Sequence, residues 1–517
     1  MTNIRRYLRS LLFASVCSAT LACAPSESAD ITLINGNIYT LNPDQPKAEA
    51  IAIQGDRILF VGRSDVVKSY ETSSTERIDL KGRTVVPGLT DSHVHLSGVG
   101  FRKLTLDLEG TTSLDEMIDR VSAKAADTPA GEWVTGRGWI EAQWDPPVFP
   151  TRHDLDRAAP EHPVWLTRAD GHGAVANSKA LEIAGIAQVT EDPPGGEIMR
   201  DAGGEPTGML LDRAKNLVQK HIPGPTAERQ REALVVGARV MMERGWTEVS
   251  IAGNSFDEVE VIRRLQDEGG IKIRIYDNVR GPGPDAVRLF EQGAVQREYN
   301  GLFTLRGIKV VADGALGSKG AALVEDYADH SGAGLLLWKE DQLRPLYERA
   351  LREGVQIQTH AIGDRANRMI LDLYEEAFEK VPAAKRKVAD PRWRIEHAQV
   401  VHPDDIPRFA ALKVIPSMQA SHAITDFHFA KSRLGEERLK GAYAWKSMLN
   451  AGAIIAGGSD APVEKGDPMV EFYAAIARKD LNGFSAEYWH PEEALTREEA
   501  LKTLTIWPAY ASFEEDD

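Results

Sequence analysis

Short runs of apolar residues recur along the chain, and each has the length of a buried β-strand. Residues 83–86, 305–312, 355–361, 393–395 and 452–457 form such runs, and a polar residue stands inside or soon after each of them. In (β/α)8 barrels the carboxyl ends of the strands carry the chemistry. The pattern therefore predicts an α/β chain whose functional groups follow buried strands.

The run at residues 83–86 leads into a segment that contains His93 and His95. Two residues apart on an extended backbone, these side chains would point to the same side. Two imidazoles at one strand end suit a divalent metal that prefers nitrogen ligands. The motif is weak alone, because a chain with 13 histidines can hold such a pair by chance.

Polar residues at later strand ends strengthen the prediction of a metal centre. His360 and His397 each end a strand-like run, and Asp460 follows another. Lys309 lies inside the apolar run at 305–312, where a charged amine is costly unless it is paired or chemically used. Imidazole, carboxylate and amine groups are thus placed where a barrel would bring them together.

The order His-x-His, Lys, His, His, Asp resembles that of the amidohydrolase superfamily. Four short sequence segments, called words below, are similar to those of its YtcJ-like, amidohydrolase-3 branch. They are Gly-Ile-Lys-Val-Val-Ala-Asp-Gly-Ala-Leu-Gly-Ser, Thr-His-Ala-Ile-Gly-Asp, Arg-Ile-Glu-His-Ala-Gln and Gly-Gly-Ser-Asp-Ala-Pro. The similarity extends from about residue 31 to the end of the sequence. It is specific, because six residues of ligand type occur in the right order within such words.

The resemblance implies an α/β fold with a (β/α)8 TIM-like barrel at residues 85–510, a small β-sandwich and an inserted lid domain between barrel strands 1 and 2. Residues 31–84 would form the N-terminal part of the sandwich, and residues 97–245, too long for a loop, would form the lid. The other barrel strands are expected to include 246–252, 271–279 and 413–418. Because the family continues beyond the last barrel helix, we expect the C-terminal sandwich strands to be missing from this sequence.

The resemblance also implies the roles of the site residues. The implied metal ligands are His93, His95, Lys309, His360, His397 and Asp460. They would hold one or two divalent ions, with zinc expected. Lys309 would bridge them as a carbamate, which a desolvated and therefore neutral lysine can form. Asp460 would be the catalytic acid–base group, acting on a metal-activated hydroxide.

Four further residues are candidate substrate contacts. Arg168 and His172 lie in the implied lid, as does Trp139, and His422 follows a later barrel strand. Each has a plain structural alternative, since a tryptophan or histidine in such a position more often packs than binds a substrate.

These residues indicate an amidohydrolase that acts on a small-molecule amide, cleaving carbon–nitrogen bonds other than peptide bonds. N-acyl and N-formyl amines are the expected substrates, and hydrolysis of a cyclic amide, a lactone or an ester remains an alternative. A different class is a metal-holding surface lipoprotein without turnover. Asp460 argues against it, because a binding protein needs no proton shuttle.

Charge and the N-terminus bear on partners and location. The net charge of −16 argues against nucleic acid and anionic membranes as partners. Residues 1–23 predict a signal peptide, with either ordinary cleavage or lipidation at Cys23. The expected location is therefore the periplasm of a bacterium or a lipid anchor on its membrane. Monomer and homodimer both remain open.

Overall fold

The computed structural model describes residues 27–141, 144–168, 173–193, 196–317, 319–486 and 489–516. The signal peptide predicted at residues 1–23 lies outside the described residues. The chain divides into two compact units, one ending at Pro87 and one beginning at Gly88. In the described part of the chain, no helix is both long and apolar enough to cross a membrane.

The described part of the N-terminal unit consists of two small sheets. Its strands are β1 (Ile31–Ile34), β2 (Asn37–Tyr39), β3 (Lys47–Ala48), β4 (Ala50–Gln54), β5 (Arg57–Gly62), β6 (Glu76–Asp79) and β7 (Thr84–Val85). One sheet has the order β5-β4-β1-β6 and the other β3-β2-β7. Alternate residues of β1 are buried, and one of them, Ile34, packs with Ala50, Ala52 and Val67 in a small core. The segment predicted to begin the sandwich therefore forms β-strands in two sheets.

The larger unit begins with a strand and a helix and then leaves the barrel for a long insertion. Strand β8 (Leu89–Val94) and helix α1 (Leu96–Leu104) precede it. The insertion contains β9 (Leu106–Asp107), α2 (Leu114–Ala126), β10 (Val134–Trp139), α3 (Arg152–Ala158), β11 (Val164–Arg168), β12 (Gly173–Ala176), α4 (Ser178–Ala184), β13 (Gly196–Arg200), β14 (Pro206–Asp212) and α5 (Asn216–Gln219). Its described strands form one mixed sheet of order β13-β14-β12-β11-β10-β9. Helix α6 (Ala227–Glu243) returns the chain to the barrel.

Helices α1 and α6, which flank the insertion, approach each other closely at two glycines. A β-carbon on Gly100 would lie 1.7 Å from the carbonyl oxygen of Ala233, and one on Gly237 would lie 2.2 Å from that of Leu96. Only glycine permits this backbone contact, so the chain enters and leaves the insertion at neighbouring points.

The rest of the larger unit alternates strands and helices. The strands are β15 (Trp246–Asn254), β16 (Arg274–Arg280), β17 (Val295–Arg297), β18 (Phe303–Val311), β19 (Gln356–Ala361), β20 (Arg394–His397), β21 (Ile415–Gln419) and β22 (Ala456–Gly458). The helices are α7 (Phe256–Asp267), α8 (Pro284–Gln292), α9 (Glu298–Gly301), α10 (Glu340–Glu353), α11 (Asp364–Lys380), α12 (Ile406–Leu412), α13 (Ala420–Asp426), α14 (Ala430–Leu439), α15 (Trp445–Asn450), α16 (Pro468–Ala477), α17 (Arg497–Thr503) and α18 (Ile506–Ala511).

Within the described residues, eight parallel strands follow one another in the order β8-β15-β16-β18-β19-β20-β21-β22. A parallel bridge between Val94 and Ala461 brings the last strand back to the first. Gly458 allows this approach, because a β-carbon there would lie 2.6 Å from the backbone nitrogen of His93. The predicted (β/α)8 barrel with its inserted domain is confirmed.

The sequence prediction placed some strands incorrectly. Thr84 and Val85 belong to the small β7 strand of the N-terminal unit, whereas the barrel strand that carries His93 begins at Leu89. Pro87 and Gly88 interrupt the apolar run, so the run and the histidines belong to different units. Strand β16 likewise begins at Arg274 rather than at Ile271.

Candidate metal centre

The barrel brings all six of the predicted ligand residues to one cavity of about 410 Å³. Strands β8, β18, β19 and β20 carry His93, Lys309, His360 and His397, respectively. His95 directly follows the end of β8, and Asp460 lies two residues after the end of β22. The parallel strands end at the same rim, so residues far apart in the sequence face one space.

His93 is held in one tautomer by a buried carboxylate. Its Nδ1 lies 2.5 Å from Oε2 of Glu396, and both side chains are almost fully buried. Burial lowers the pKa of His93 to about 4, so the ring is neutral at pH 7. A neutral ring that donates from Nδ1 presents the lone pair of Nε2 to the cavity.

His397 is oriented in the same way by a different partner. Its Nδ1 lies 2.7 Å from the amide oxygen of Gln419, which can only accept, so Nδ1 carries the proton. Burial and the neighbouring rings of His360 and His93 hold the pKa of His397 well below its usual value. The ring centroid of His397 lies 4.5 Å from that of His360 and 4.8 Å from that of His93. The rings of His93, His360 and His397 therefore converge on one point.

Lys309 lies within the same group. Its Nζ is 3.3 Å from Nε2 of His93, and the residue is 5% exposed. Burial lowers the pKa of Lys309, which favours a neutral amine. Gly253 leaves room for this side chain, because a β-carbon there would lie 3.1 Å from the β-carbon of Lys309.

Asp460 lies among the imidazoles. Its Oδ1 is 3.2 Å from Nε2 of His95 and 3.6 Å from Nε2 of His93, and its Oδ2 is 3.5 Å from Nε2 of His422. Burial opposes ionisation, but the imidazoles hold the pKa of Asp460 well below its usual value. Asp460 has a φ of 56° and His397 a φ of 73°, conformations that non-glycine residues rarely adopt and that cluster at functional sites.

These residues fit a divalent metal. His93, His397 and Asp460 offer donor atoms that all lie within 4.8 Å of one another. Nε2 of His360 is buried, lies 3.4 Å from Asp313 and makes no hydrogen bond with any described residue. Imidazoles, of which His93 and His397 are neutral, and a carboxylate form the donor set that zinc prefers. A buried imidazole nitrogen without a partner is satisfied when it binds a metal.

The structure places the predicted substrate contacts in different environments. His422 lies in the cavity wall. Trp139 is fully buried in the apolar core of the insertion beside Trp144, at a centroid distance of 6.0 Å, because the insertion sheet needs its own core. Arg168 donates from Nε and from a terminal nitrogen to the carboxylate of Glu141.

Neither Trp139 nor Arg168 lines the cavity, so these two placements differ from the prediction. The described residues of the insertion contribute none of the cavity wall. His172 lies outside the described residues.

Sequence reasoning missed the residues that orient the ligands. Glu396 and Gln419 are the partners of His93 and His397. Glu396 stands in a strand whose four residues are all buried, and a buried carboxylate needs a partner. That signal could have identified it. Asp426 and Glu464, which also line the cavity, carry no comparable signal because they lie outside strands.

Comparison with known proteins agrees with the barrel and the site. The model of the Amidohydrolase family matches residues 76–517, and the chain belongs to this family. It is 34% identical to the putative amidohydrolase YtcJ of Bacillus subtilis (strain 168), over 93% of this chain and 90% of that protein. It is 30% identical to an N-substituted formamide deformylase of Arthrobacter pascens, over 94% of this chain and 90% of that protein.

A solved structure shows the same fold. An uncharacterised metal-dependent hydrolase from Pyrococcus furiosus superposes with a TM-score of 0.74 and 29% identity, over 94% of this chain and 95% of that chain. The resemblance stated from the sequence is therefore confirmed. The protein is a hydrolase of the metal-dependent amidohydrolase superfamily.

Proposed function

We propose that the protein hydrolyses amide-type carbon–nitrogen bonds other than peptide bonds, in N-acyl or N-formyl amines and related small amides. The observation that carries the proposal is the position of Asp460, whose carboxylate lies 3.2 Å from His95 and 3.6 Å from His93 in the cavity wall. An amide nitrogen leaves readily only when it is protonated, so its hydrolysis needs a proton donor beside the metal centre. The formamide deformylase relative supports the same class of bond.

We propose that one or two zinc ions are held by the imidazoles and by Lys309 as a carbamate. The support is the neutral state of His93 and His397 and the burial of Lys309 beside Nε2 of His93. A bound divalent metal would polarise the substrate carbonyl and lower the pKa of a coordinated water.

Asp460 would move the protons of the reaction. The pKa of Asp460 lies well below its usual value, so Asp460 is ionised and its carboxylate can accept a proton from the attacking water. Once protonated, it would donate that proton to the departing nitrogen. One carboxylate could serve both steps, because the tetrahedral carbon of the reacting amide lies between the attacking water and the leaving nitrogen.

The cavity supports a small substrate. Its volume of about 410 Å³ is within the range of roughly 300–1,000 Å³ that small-molecule sites occupy. Apolar side chains such as Leu316, Ile362 and Phe429 form part of its wall and would exclude water from the scissile bond.

The test combines metal analysis with a substrate panel. The purified protein would be assayed with N-formyl and N-acetyl amines and with esters and lactones of matched size. We expect hydrolysis of amides, its loss after dialysis against a strong chelator, and its recovery with zinc, manganese or cobalt.

Three outcomes would contradict the proposal. Full amide hydrolysis by protein shown to be metal-free would exclude the metal centre from the reaction. Turnover of esters or lactones alone would favour the alternative bond class. Metal-loaded protein that hydrolyses no member of the panel would favour a binding protein.

A further inference from the structure

Two carboxylates line the cavity outside the group of predicted metal ligands. Asp426 ends helix α13, and Glu464 lies in the segment between Asp460 and helix α16. They come from the segments that follow the last two barrel strands, so the fold brings them to one wall.

Each carboxylate has only one oxygen engaged by the protein. Oδ2 of Asp426 accepts hydrogen bonds from Gln399 at 2.9 Å and from the hydroxyl of Tyr443 at 2.6 Å. Oε1 of Glu464 accepts one from Thr425 at 2.7 Å. Among the described residues, none donates a hydrogen bond to Oδ1 of Asp426 or Oε2 of Glu464, and no lysine or arginine pairs with either carboxylate.

The imidazole of His422 lines the same cavity and can carry at most one positive charge, so it cannot balance two carboxylates. Burial raises the pKa of Asp426 to about 6, which leaves this carboxyl mostly ionised at pH 7. His422 is also an independent sign of a ligand, because it is only 8% exposed, lines the cavity, and its Nε2 makes no hydrogen bond.

The remaining wall is mostly apolar, with Val311, Leu316, Ile362, Phe429 and Val463 among its side chains. A carboxylate in such surroundings is only partly hydrated, and a hydrogen bond from a cationic group to it is stronger than at an open surface. The cavity thus offers apolar contact and two open carboxylate oxygens in addition to the metal centre.

We propose that Asp426 and Glu464 form a cation-binding subsite, and that the amide substrate carries a protonated amine or guanidinium group joined to the scissile amide by a short apolar chain. This inference rests on the proposed amide hydrolysis. It adds a preference for cationic substrates, which amide hydrolysis alone does not imply.

The first experiment compares two probes that differ only in charge. N-formyl-1,4-diaminobutane carries an ammonium group where N-formylpentylamine carries a methyl group. We expect kcat/KM of the zinc-loaded protein to be about tenfold or more higher for the charged probe, the scale of one hydrogen bond to a charged group.

Variants then assign the preference to the two carboxylates. In the double variant Asp426→Asn, Glu464→Gln, we expect the ratio of kcat/KM for the two probes to fall to near one. The double variant Glu436→Gln, Glu437→Gln is the matched control, because both carboxylates are exposed on helix α14 and their loss changes the net charge by the same two units. Its probe ratio should stay that of the wild type.

A binding measurement separates this inference from the proposed reaction. Both probes would be titrated calorimetrically into zinc-loaded Asp460→Asn protein, with and without the two substitutions. Preferential binding of the charged probe that depends on Asp426 and Glu464 supports the subsite even if no amide is hydrolysed. Equal binding of the two probes, or a preference that survives the double substitution, overturns the subsite even if amides are hydrolysed.

Discussion

Glu396 and His93 form a buried carboxylate–imidazole pair at 2.5 Å although 303 residues separate them in the chain. Their strands, β20 and β8, are not neighbours in the barrel, so the pair crosses its interior. Its function is to fix the ring and the tautomer of a predicted metal ligand.

Removing this carboxylate should weaken metal binding. We expect Glu396→Ala to bind zinc about 10- to 100-fold more weakly, the usual effect of losing a partner of a ligating histidine. Glu396→Gln should lose less, because its amide oxygen can still accept from Nδ1 of His93. Competition with a chromophoric chelator measures both, and Glu348→Ala, on the surface, is the control. Wild-type affinity in Glu396→Ala would refute the role of the pair.

Substitution of Lys309 tests the proposed carbamate. Lys309→Ala should lose most of the metal at one position and most activity, because a bridging oxygen ligand disappears. Short carboxylic acids, supplied with bicarbonate, should restore part of the rate by replacing that ligand. Elemental analysis and the amide assay check this, with exposed Lys272→Ala as control. Unchanged metal content and rate would identify Lys309 as a structural lysine.

Asp460→Asn should separate metal binding from proton transfer. The asparagine is nearly the same size, so the variant should keep much of its metal. Its kcat for amides should fall by about 10²- to 10⁴-fold, the range for a positioned acid–base group. Activated esters should lose less, because their leaving groups need no proton. Equal losses for both substrate classes, or an empty site by elemental analysis, would show that Asp460 acts mainly as a ligand.

The buried carboxyl of Glu471 should make the stability of the folded protein depend on pH. Its Oε2 accepts from the backbone nitrogen of Ser421 at 2.9 Å, and burial raises the pKa of Glu471 to about 8. A carboxyl whose pKa is higher in the folded protein than in the unfolded chain stabilises the fold fully below its ordinary pKa near 4.5. This stabilisation is lost as the pH rises toward and through 8.

The matched variant is Glu471→Gln, which keeps an acceptor for Ser421 and cannot ionise. Between pH 5 and pH 9, the free energy of unfolding in urea should fall more for the wild type than for this variant, by on the order of a few kcal/mol. Parallel pH profiles for the two proteins would show that Glu471 is not the group responsible.

The sequence predicted the barrel, and it predicted which polar residues would meet in one cavity, because both depend on local patterns. An apolar run followed by a polar residue marks a strand end, and His360, His397 and Asp460 all have this form. The partners of the ligands were not predictable in the same way, since the pairing of Glu396 with His93 depends on which strands face each other. Trp139 differs from the prediction for another reason. As an aromatic residue in the expected lid it is a candidate substrate contact, whereas the structure places it in the apolar core of the insertion.

The glycine contact between α1 and α6 has a consequence for how this protein can change. Since Gly100 and Gly237 bring the two ends of the insertion together, the barrel presents a single attachment point to whatever chain lies between them. The insertion has its own sheet and its own apolar cores, so its sequence can vary without altering strand ends more than a hundred residues away. The barrel and the insertion can therefore evolve, or be exchanged by grafting, as separate modules joined where α1 and α6 meet.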